Sequence, residues 1–339
     1  MKWEFENIII DDGSDVLAQA PVIISASRST DIPTFYADWF VERWKAGYVK
    51  WKNPFNGIPL YVSFKKTRAV VFWTKNPKPI FKHLDFLDEH VKNYYFQFSL
   101  NDYDNEKFEE KVPNVQTRIN TFIELSNRIG KDRIVWRFDP LLITNEINVD
   151  ELLKRVERIG DQLYNYTSKL VFSFADIAIY KKVESNLKMA GVNYIEFDQK
   201  SIEQFAAGLI VLNEKWGLEL ATCAEKFDLK MFGINHNKCV DDDLLIKLFS
   251  QDKDLMEFLG VKFVAPTIFE PNPSILKTRK IGDKGQREAC GCIMSKDIGE
   301  YNTCPHGCVY CYANTSKEIA LENYKIHKES NFTESLTGK

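Results

Sequence analysis

Short apolar runs alternate with amphipathic stretches along most of the chain. Seven runs are rich in β-branched and aromatic residues: Val22-Ile23-Ile24, Tyr48-Val49-Lys50-Trp51, Ala69-Val70-Val71-Phe72-Trp73, Tyr94-Tyr95-Phe96-Gln97-Phe98, Arg133-Ile134-Val135-Trp136, Leu170-Val171-Phe172-Ser173-Phe174 and Leu218-Glu219-Leu220-Ala221. Their length and make-up predict strands, and their near-continuous apolar character predicts burial on both faces. Between them, Thr117 to Arg128 places Ile119, Phe122, Ile123 and Leu125 on one helical face, with Gly130 as the stop. Val149 to Leu163 reads as a second helix, closed near Gly160. Strands alternating with helices imply βα units around a mostly parallel sheet. Seven of them favour a TIM-like (β/α) barrel or partial barrel over a doubly wound sheet. The expected organisation is a barrel over 1–265, a connector over 266–287, and a cysteine-rich cluster-binding segment with its tail over 288–339. The connector carries Pro266, Pro271, Pro273 and a basic run from Lys277 to Arg287, read as a solvated linker. The tail starts helical at Lys317 and is expected to fray at its polar end.

Polar residues gather just after the predicted strands. The ends read Ser25-Ala26-Ser27-Arg28-Ser29-Thr30-Asp31, Lys52-Asn53-Pro54, Thr74-Lys75-Asn76-Pro77, Gln97-Phe98-Ser99, Arg137-Phe138-Asp139-Pro140, Ser173-Phe174-Ala175-Asp176 and Thr222-Cys223-Ala224-Glu225. In a parallel α/β barrel this rim is where each strand delivers side chains to a common mouth. One Asn or Asp after a strand is a helix cap or turn. Seven such ends in succession predict a rim site built from Arg28, Asp31, Lys75, Arg137, Asp139, Asp176 and Glu225. Arg and Lys there suit a carboxylate or phosphate, and Asp or Glu a proton transfer or a ribose hydroxyl. An internal ion-pair network is the other account of the same residues.

Composition narrows the classes. A chain of 339 residues that is 44% hydrophobic can bury a large core, and its −3 net charge offers no bulk basic field for unspecific nucleic-acid binding. Met1 to Asp11 lacks a signal-peptide pattern, and no run approaches the roughly 18 apolar residues of a membrane helix. The expectation is a soluble cytoplasmic protein with no membrane partner. No G-x-G-x-x-G, Walker loop, nucleophile elbow or H-E-x-x-H occurs.

Cysteine placement changes the picture most. Five of the seven cysteines fall between 290 and 311, and clustered thiols in a reducing compartment bind metal or do redox chemistry. Cys290-Gly291-Cys292 is followed, after eleven residues, by Cys304-Pro305-His306-Gly307-Cys308-Val309-Tyr310-Cys311. Three thiolates at C-x3-C-x2-C spacing can surround three irons, and Gly307 permits the sharp turn. Structural zinc normally takes paired C-x2-C ligands, yet Cys290 or Cys292 joined to the triplet would give four thiolates, so zinc stays open. His306 is placed to hydrogen-bond a sulfur or to face solvent. Cys223 reads as a buried apolar filler, with a resolving thiol or a ligand as alternatives. Cys239 precedes Asp241-Asp242-Asp243; a ligand role is open for it, while the aspartates read as the cap of a helix from Leu244 to Phe249.

Tyr301-Asn302-Thr303-Cys304-Pro305-His306-Gly307-Cys308-Val309-Tyr310-Cys311-Tyr312-Ala313 resembles the cluster loop of radical SAM enzymes, in particular the branch of spore photoproduct lyase. That resemblance implies a [4Fe-4S] cluster with Cys304, Cys308 and Cys311 on three irons and S-adenosylmethionine on the fourth. It also implies reductive cleavage to a deoxyadenosyl radical, Tyr310 flanking the site, a reductant such as a flavodoxin or ferredoxin, and a small-molecule or nucleic-acid-derived substrate. In those enzymes the loop follows the first strand of the barrel; here it follows the barrel itself. A fourth ligand from Cys290 or Cys292 would instead make an electron carrier or redox sensor. A third expectation is a barrel hydrolase or lyase with structural zinc, working through Asp139, Asp176 and Glu225. Over nearly its whole length the chain is similar to a bacterial family catalogued as domain of unknown function 1848. The shared segments are Ser25-Ala26-Ser27-Arg28 with Thr30-Asp31-Ile32-Pro33, Asn53-Pro54-Phe55-Asn56, Phe72 to Pro77, Trp136 to Pro140, Cys223-Ala224-Glu225 and Cys290 to Asn314.

Overall fold

The computed structural model describes residues 3–338 except 55, 265–273, 284, 288 and 331. Pro266, Pro271 and Pro273 of the connector therefore lie outside the described residues. At the centre is an eight-stranded sheet: β1 (Ile23–Ala26), β2 (Ala69–Thr74), β3 (Asn93–Ser99), β4 (Ile134–Leu141), β5 (Lys169–Phe174), β6 (Glu219–Thr222), β7 (Asn235–His236) and β8 (Lys296–Asp297). Its order is β7-β6-β5-β4-β3-β2-β1-β8, and every pairing is parallel.

Six of the seven expected strands lie in this sheet. The other, Tyr48–Lys52, pairs antiparallel with Pro59–Ser63, because a short connection allows a hairpin but no parallel crossover. Phe5–Ile9 and Asp15–Gln19 complete that smaller sheet. The two edge strands of the main sheet, β7 and β8, have two residues each and no apolar run to announce them. They are not paired with each other among the described residues, so strand pairing gives a parallel sheet without barrel closure. One backbone hydrogen bond, Ile293 N to Val240 O at 3.0 Å, joins the chain after β7 to the chain before β8.

Both faces of the sheet are covered, which explains the unbroken apolar runs. One face presents Ile24, Val70, Phe72, Phe96, Phe98 and Trp136 to the helices Val115–Ile129, Val149–Leu163 and Gln199–Trp216. The other buries Ile23, Val71 and Tyr95 against the helices Asp242–Phe249 and Lys253–Leu259. Asp241 caps the first of these as expected, accepting from the N–H groups of Asp243 and Leu244. Part of the basic run is engaged rather than solvated: Lys277 Nζ lies 2.5 Å from Asp242. The tail also departs from expectation. After the helix Lys317–Glu329, Leu336 is buried, its N–H bonds Glu300 at 3.0 Å, and Lys50 N bonds Glu334 O at 2.8 Å. Among the described residues no helix is long and apolar enough to cross a membrane.

Candidate functional site

The C-x3-C-x2-C loop seats itself over the ends of β1 and β3. Lys111 N bonds His306 O at 2.9 Å and Val309 N bonds Phe108 O at 2.9 Å, fixing the loop on the segment after β3. Tyr36 Oη donates to Thr303 O at 2.6 Å, and Thr30 Oγ1 lies 2.6 Å from Thr303 Oγ1, fixing its start on the segment after β1. Gly307 turns the chain at φ +73°, a conformation that favours glycine. A loop late in the sequence thereby occupies the strand-end rim.

Cys304, Cys308 and Cys311 are partly buried and close enough for each thiolate to oppose ionisation of its neighbours. Burial, then Asp31 and Cys311, pushes Cys304 up to about 12, and burial raises Cys308 and Cys311 as well. Backbone N–H groups of Asp31 and His306 point at Cys304, and those of Ala313 and Asn314 at Cys311. Such N–H···S bonds favour the thiolate and are the usual surroundings of a metal-bound sulfur. Two buried polar atoms of the loop, His306 Nδ1 and Asn314 Oδ1, have no hydrogen-bond partner. The donor set fits an iron–sulfur cluster held by three thiolates.

A charged network backs the loop. Lys75 Nζ lies 2.6 Å from Glu109 Oε1 and 3.2 Å from Tyr310 Oη, whose hydroxyl donates to the same carboxylate. Asn101 donates to Tyr310 Oη at 2.9 Å and Arg118 to Glu109 Oε2 at 3.1 Å. Burial alone would raise Glu109, but the Lys75 and Arg118 cations hold it at about 2. His306 Nε2 sits 2.7 Å from Asp31 Oδ2, which also accepts from Lys75 N at 2.7 Å. Three predicted rim or loop residues thus meet at one carboxylate.

Arg137 and Asp139 form an ion pair at the end of β4, and Ser173 donates to Asp139. Arg28 and Arg137 each lie 5.2 Å from the Trp73 ring. Glu225 is buried, accepts from Phe174 N at 2.9 Å, and is raised by burial to about 8. Asp176 is exposed. Cys290 and Cys292 pack in one cluster with Cys239 and Cys223; Cys292 Sγ accepts from Cys239 N at 3.2 Å, and Cys239 Sγ is 3.4 Å from Cys223 Sγ.

Sequence reasoning missed Asp297, Asn101, Glu109 and Arg118. Asp297 gathers Ser25 Oγ at 2.9 Å, Ser27 Oγ at 2.7 Å, and the N–H groups of Arg28 and Gly299, both at 2.9 Å. It lies on a strand too short to show a pattern. Asn101, Glu109 and Arg118 stand beyond a strand end or on a helix, where only the folded chain brings them to Lys75.

The family described as Domain of unknown function (DUF1848) matches residues 23–313. No curated protein and no solved structure matches the chain.

Proposed function

This chain belongs to the DUF1848 family, and we propose that it is an iron–sulfur enzyme of the radical SAM kind, with its cluster on Cys304, Cys308 and Cys311. The observation that carries this reading is the partition of the cysteines. Cys290 and Cys292 are engaged with Cys239 and Cys223, so the triplet has no fourth thiol to close a [4Fe-4S] cluster. An electron carrier or sensor would need that fourth ligand. Cys304, Cys308 and Cys311 would hold a [4Fe-4S] cluster, which would supply one electron for reductive cleavage of S-adenosylmethionine to methionine and a deoxyadenosyl radical, the electron coming from a flavodoxin- or ferredoxin-like donor in a reducing cytoplasm.

The chain's own residues fix and insulate the loop. Lys75 sets an ammonium beside Cys308, offsetting the anionic charge that three thiolates bring. Asp31 orients the His306 ring and ties β1 to β2 through Lys75 N. Tyr310, donating to Glu109, holds the middle of the loop against the end of β3. In this reading the row of strands forms a barrel-like cup, and the substrate lies at the mouth against Arg137 and Asp139, the latter 24% exposed through its side chain.

The test uses the full chain purified without oxygen. Spin resonance of the reduced cluster is expected to change when S-adenosylmethionine is added, with release of methionine and 5′-deoxyadenosine. Cys308→Ala should abolish both. A reconstituted cluster whose spectrum ignores S-adenosylmethionine sinks the reading.

A further inference from the structure

We propose that Cys223, Cys239, Cys290 and Cys292 hold a second metal centre, a four-thiolate zinc ion or iron–sulfur cluster, that ties together the two edges of the main sheet. It goes beyond the function proposed above and does not depend on it.

The four cysteines gather in one place. Cys223 Sγ lies 3.4 Å from Cys239 Sγ, and Cys239 and Cys292 are buried in one cluster against which Cys223 and Cys290 pack. All four cysteines are free of disulfides, and one pair, Cys223 and Cys239, already stands near the roughly 3.8 Å that separates two sulfurs on one tetrahedral metal. The cysteines come from three separate places in the chain, so local sequence does not force them together. The fold brings them there.

Donors point at these sulfurs. Cys292 Sγ accepts from Cys239 N at 3.2 Å and Val240 N at 3.4 Å. Cys239 Sγ accepts from Arg137 Nη1 at 2.9 Å and Asn237 Nδ2 at 3.1 Å. A thiol is a weak acceptor, whereas a metal-bound thiolate is a strong one, and such bonds surround metal sulfurs. The charge also fits. Four thiolates on a divalent ion leave a net charge of about −2, and two guanidiniums lie beside the group: Arg137 Nη1 is 2.9 Å from Cys239 Sγ, and Arg28, like Arg137, lies 5.2 Å from the Trp73 ring. Arg28 Nη2 is buried without a hydrogen-bond partner.

Backbone shape adds a further observation. A Cβ on Gly291 would lie 3.0 Å from Lys238 Cγ and 3.2 Å from Asn237 O, so glycine lets the Cys290-Gly-Cys292 turn lie flat on the Cys239 loop. Cys223 follows β6, Cys239 follows β7, and Cys290 and Cys292 precede β8. Strand pairing leaves β7 and β8 unjoined; the interval is spanned by one backbone–backbone hydrogen bond, Ile293 N to Val240 O, and by the two bonds to Cys292 Sγ. A metal at these sulfurs closes it.

The experiment measures iron, zinc and acid-labile sulfide in the full chain purified without oxygen, in three forms: the wild type, a Cys304→Ala, Cys308→Ala, Cys311→Ala triple variant, and a Cys239→Ala, Cys292→Ala double variant. The triple variant is expected to keep metal. About one zinc without sulfide identifies the zinc form, and iron with equal sulfide the cluster form. The double variant should lose that metal and keep what the triplet holds. Because the triple variant lacks the triplet, failure of the radical enzyme reading leaves this result intact. Should the double variant not fold, X-ray absorption on the folded triple variant gives the ligand count directly: four sulfurs per metal support the centre. A metal-free triple variant, or a double variant with wild-type metal content, overturns it.

Discussion

Lys296 is only 8% exposed, and its ammonium rests over the Trp51 ring. Burial, against a weaker pull from Asp297, lowers its pKa from 10.5 to about 8. A lysine whose folded pKa is depressed binds its proton more tightly in the unfolded chain. Its cost to stability is therefore complete below pH 8 and fades as pH rises from 8 to 10.5. Removing the charge should help at neutral pH. Lys296→Met is expected to stabilise the protein at pH 7 by about 1–3 kcal/mol, the aromatic contact offsetting part of the desolvation. The gain should shrink as pH approaches 10. Urea midpoints for both proteins between pH 7 and 10 check this; cysteines ionise in the same window but cancel in the difference. A gap that stays constant with pH would show that Lys296 is not buried as an ammonium.

At the scale of elements, the helix Val149–Leu163 shows where sequence pattern misleads. Gly160 reads as a stop, yet the helix runs through it. The glycine is there because a Cβ would collide with the Trp216 ring, whose Nε1 donates to Asp161 at 2.8 Å. In an exposed helix Gly→Ala gains about 1 kcal/mol, but here Gly160→Ala should cost about 1–3 kcal/mol by overpacking. Trp216→Phe, which takes away the clashing ring atoms, should relieve most of that cost in a double-mutant cycle; additive effects would refute the contact. The same distinction governs how much of the molecule was legible. β1 to β6 were readable because burial on two faces writes long apolar runs, and the helices Val115–Ile129 and Val149–Leu163 because their apolar faces repeat, whereas Gln199–Trp216 and Lys253–Leu259 went unread. β7 and β8 were not, since two residues show no period. The Cys304 loop was readable because its three cysteines fall within eight residues of sequence. The grouping of Cys223 and Cys239 with Cys290 and Cys292 was not, because it exists only where two sheet edges approach.

At the scale of the whole molecule, the small sheet shares the main core, and the C-terminal tail adds a second link from that sheet to the approach of the cysteine loop. Glu300 stands four residues before Cys304 and is buried; its carboxyl accepts from Leu336 N at 3.0 Å and Thr337 Oγ1 at 2.9 Å. Trp39 Nε1 donates to Thr333 O at 2.7 Å, and Tyr48 Oη to Glu334 at 2.5 Å. Ending the chain at Ser330 removes a buried leucine side chain, worth roughly 2–3 kcal/mol, and the two bonds to Glu300, each worth about 1 kcal/mol; it also removes the bonds of Trp39, Tyr48 and Lys50 to Thr333 and Glu334, whose partners return to water at small net cost. Partial rehydration of Glu300 returns some of that, so a net loss of about 2–4 kcal/mol is expected. Against a typical total of about 5–15 kcal/mol, the truncated chain should still fold, with a lower melting temperature. Its second consequence distinguishes a latch from a loose end. Glu300 O accepts from Thr30 Oγ1 at 2.8 Å and Thr303 Oγ1 at 2.6 Å, so loosening Glu300 loosens the residue that precedes Cys304. If the triplet holds the proposed cluster, its iron should be lost faster to a chelator in the truncated chain than in the intact one. Equal loss rates, with the melting temperature lowered as expected, would confine the tail to a role in stability and separate it from the cysteine loop.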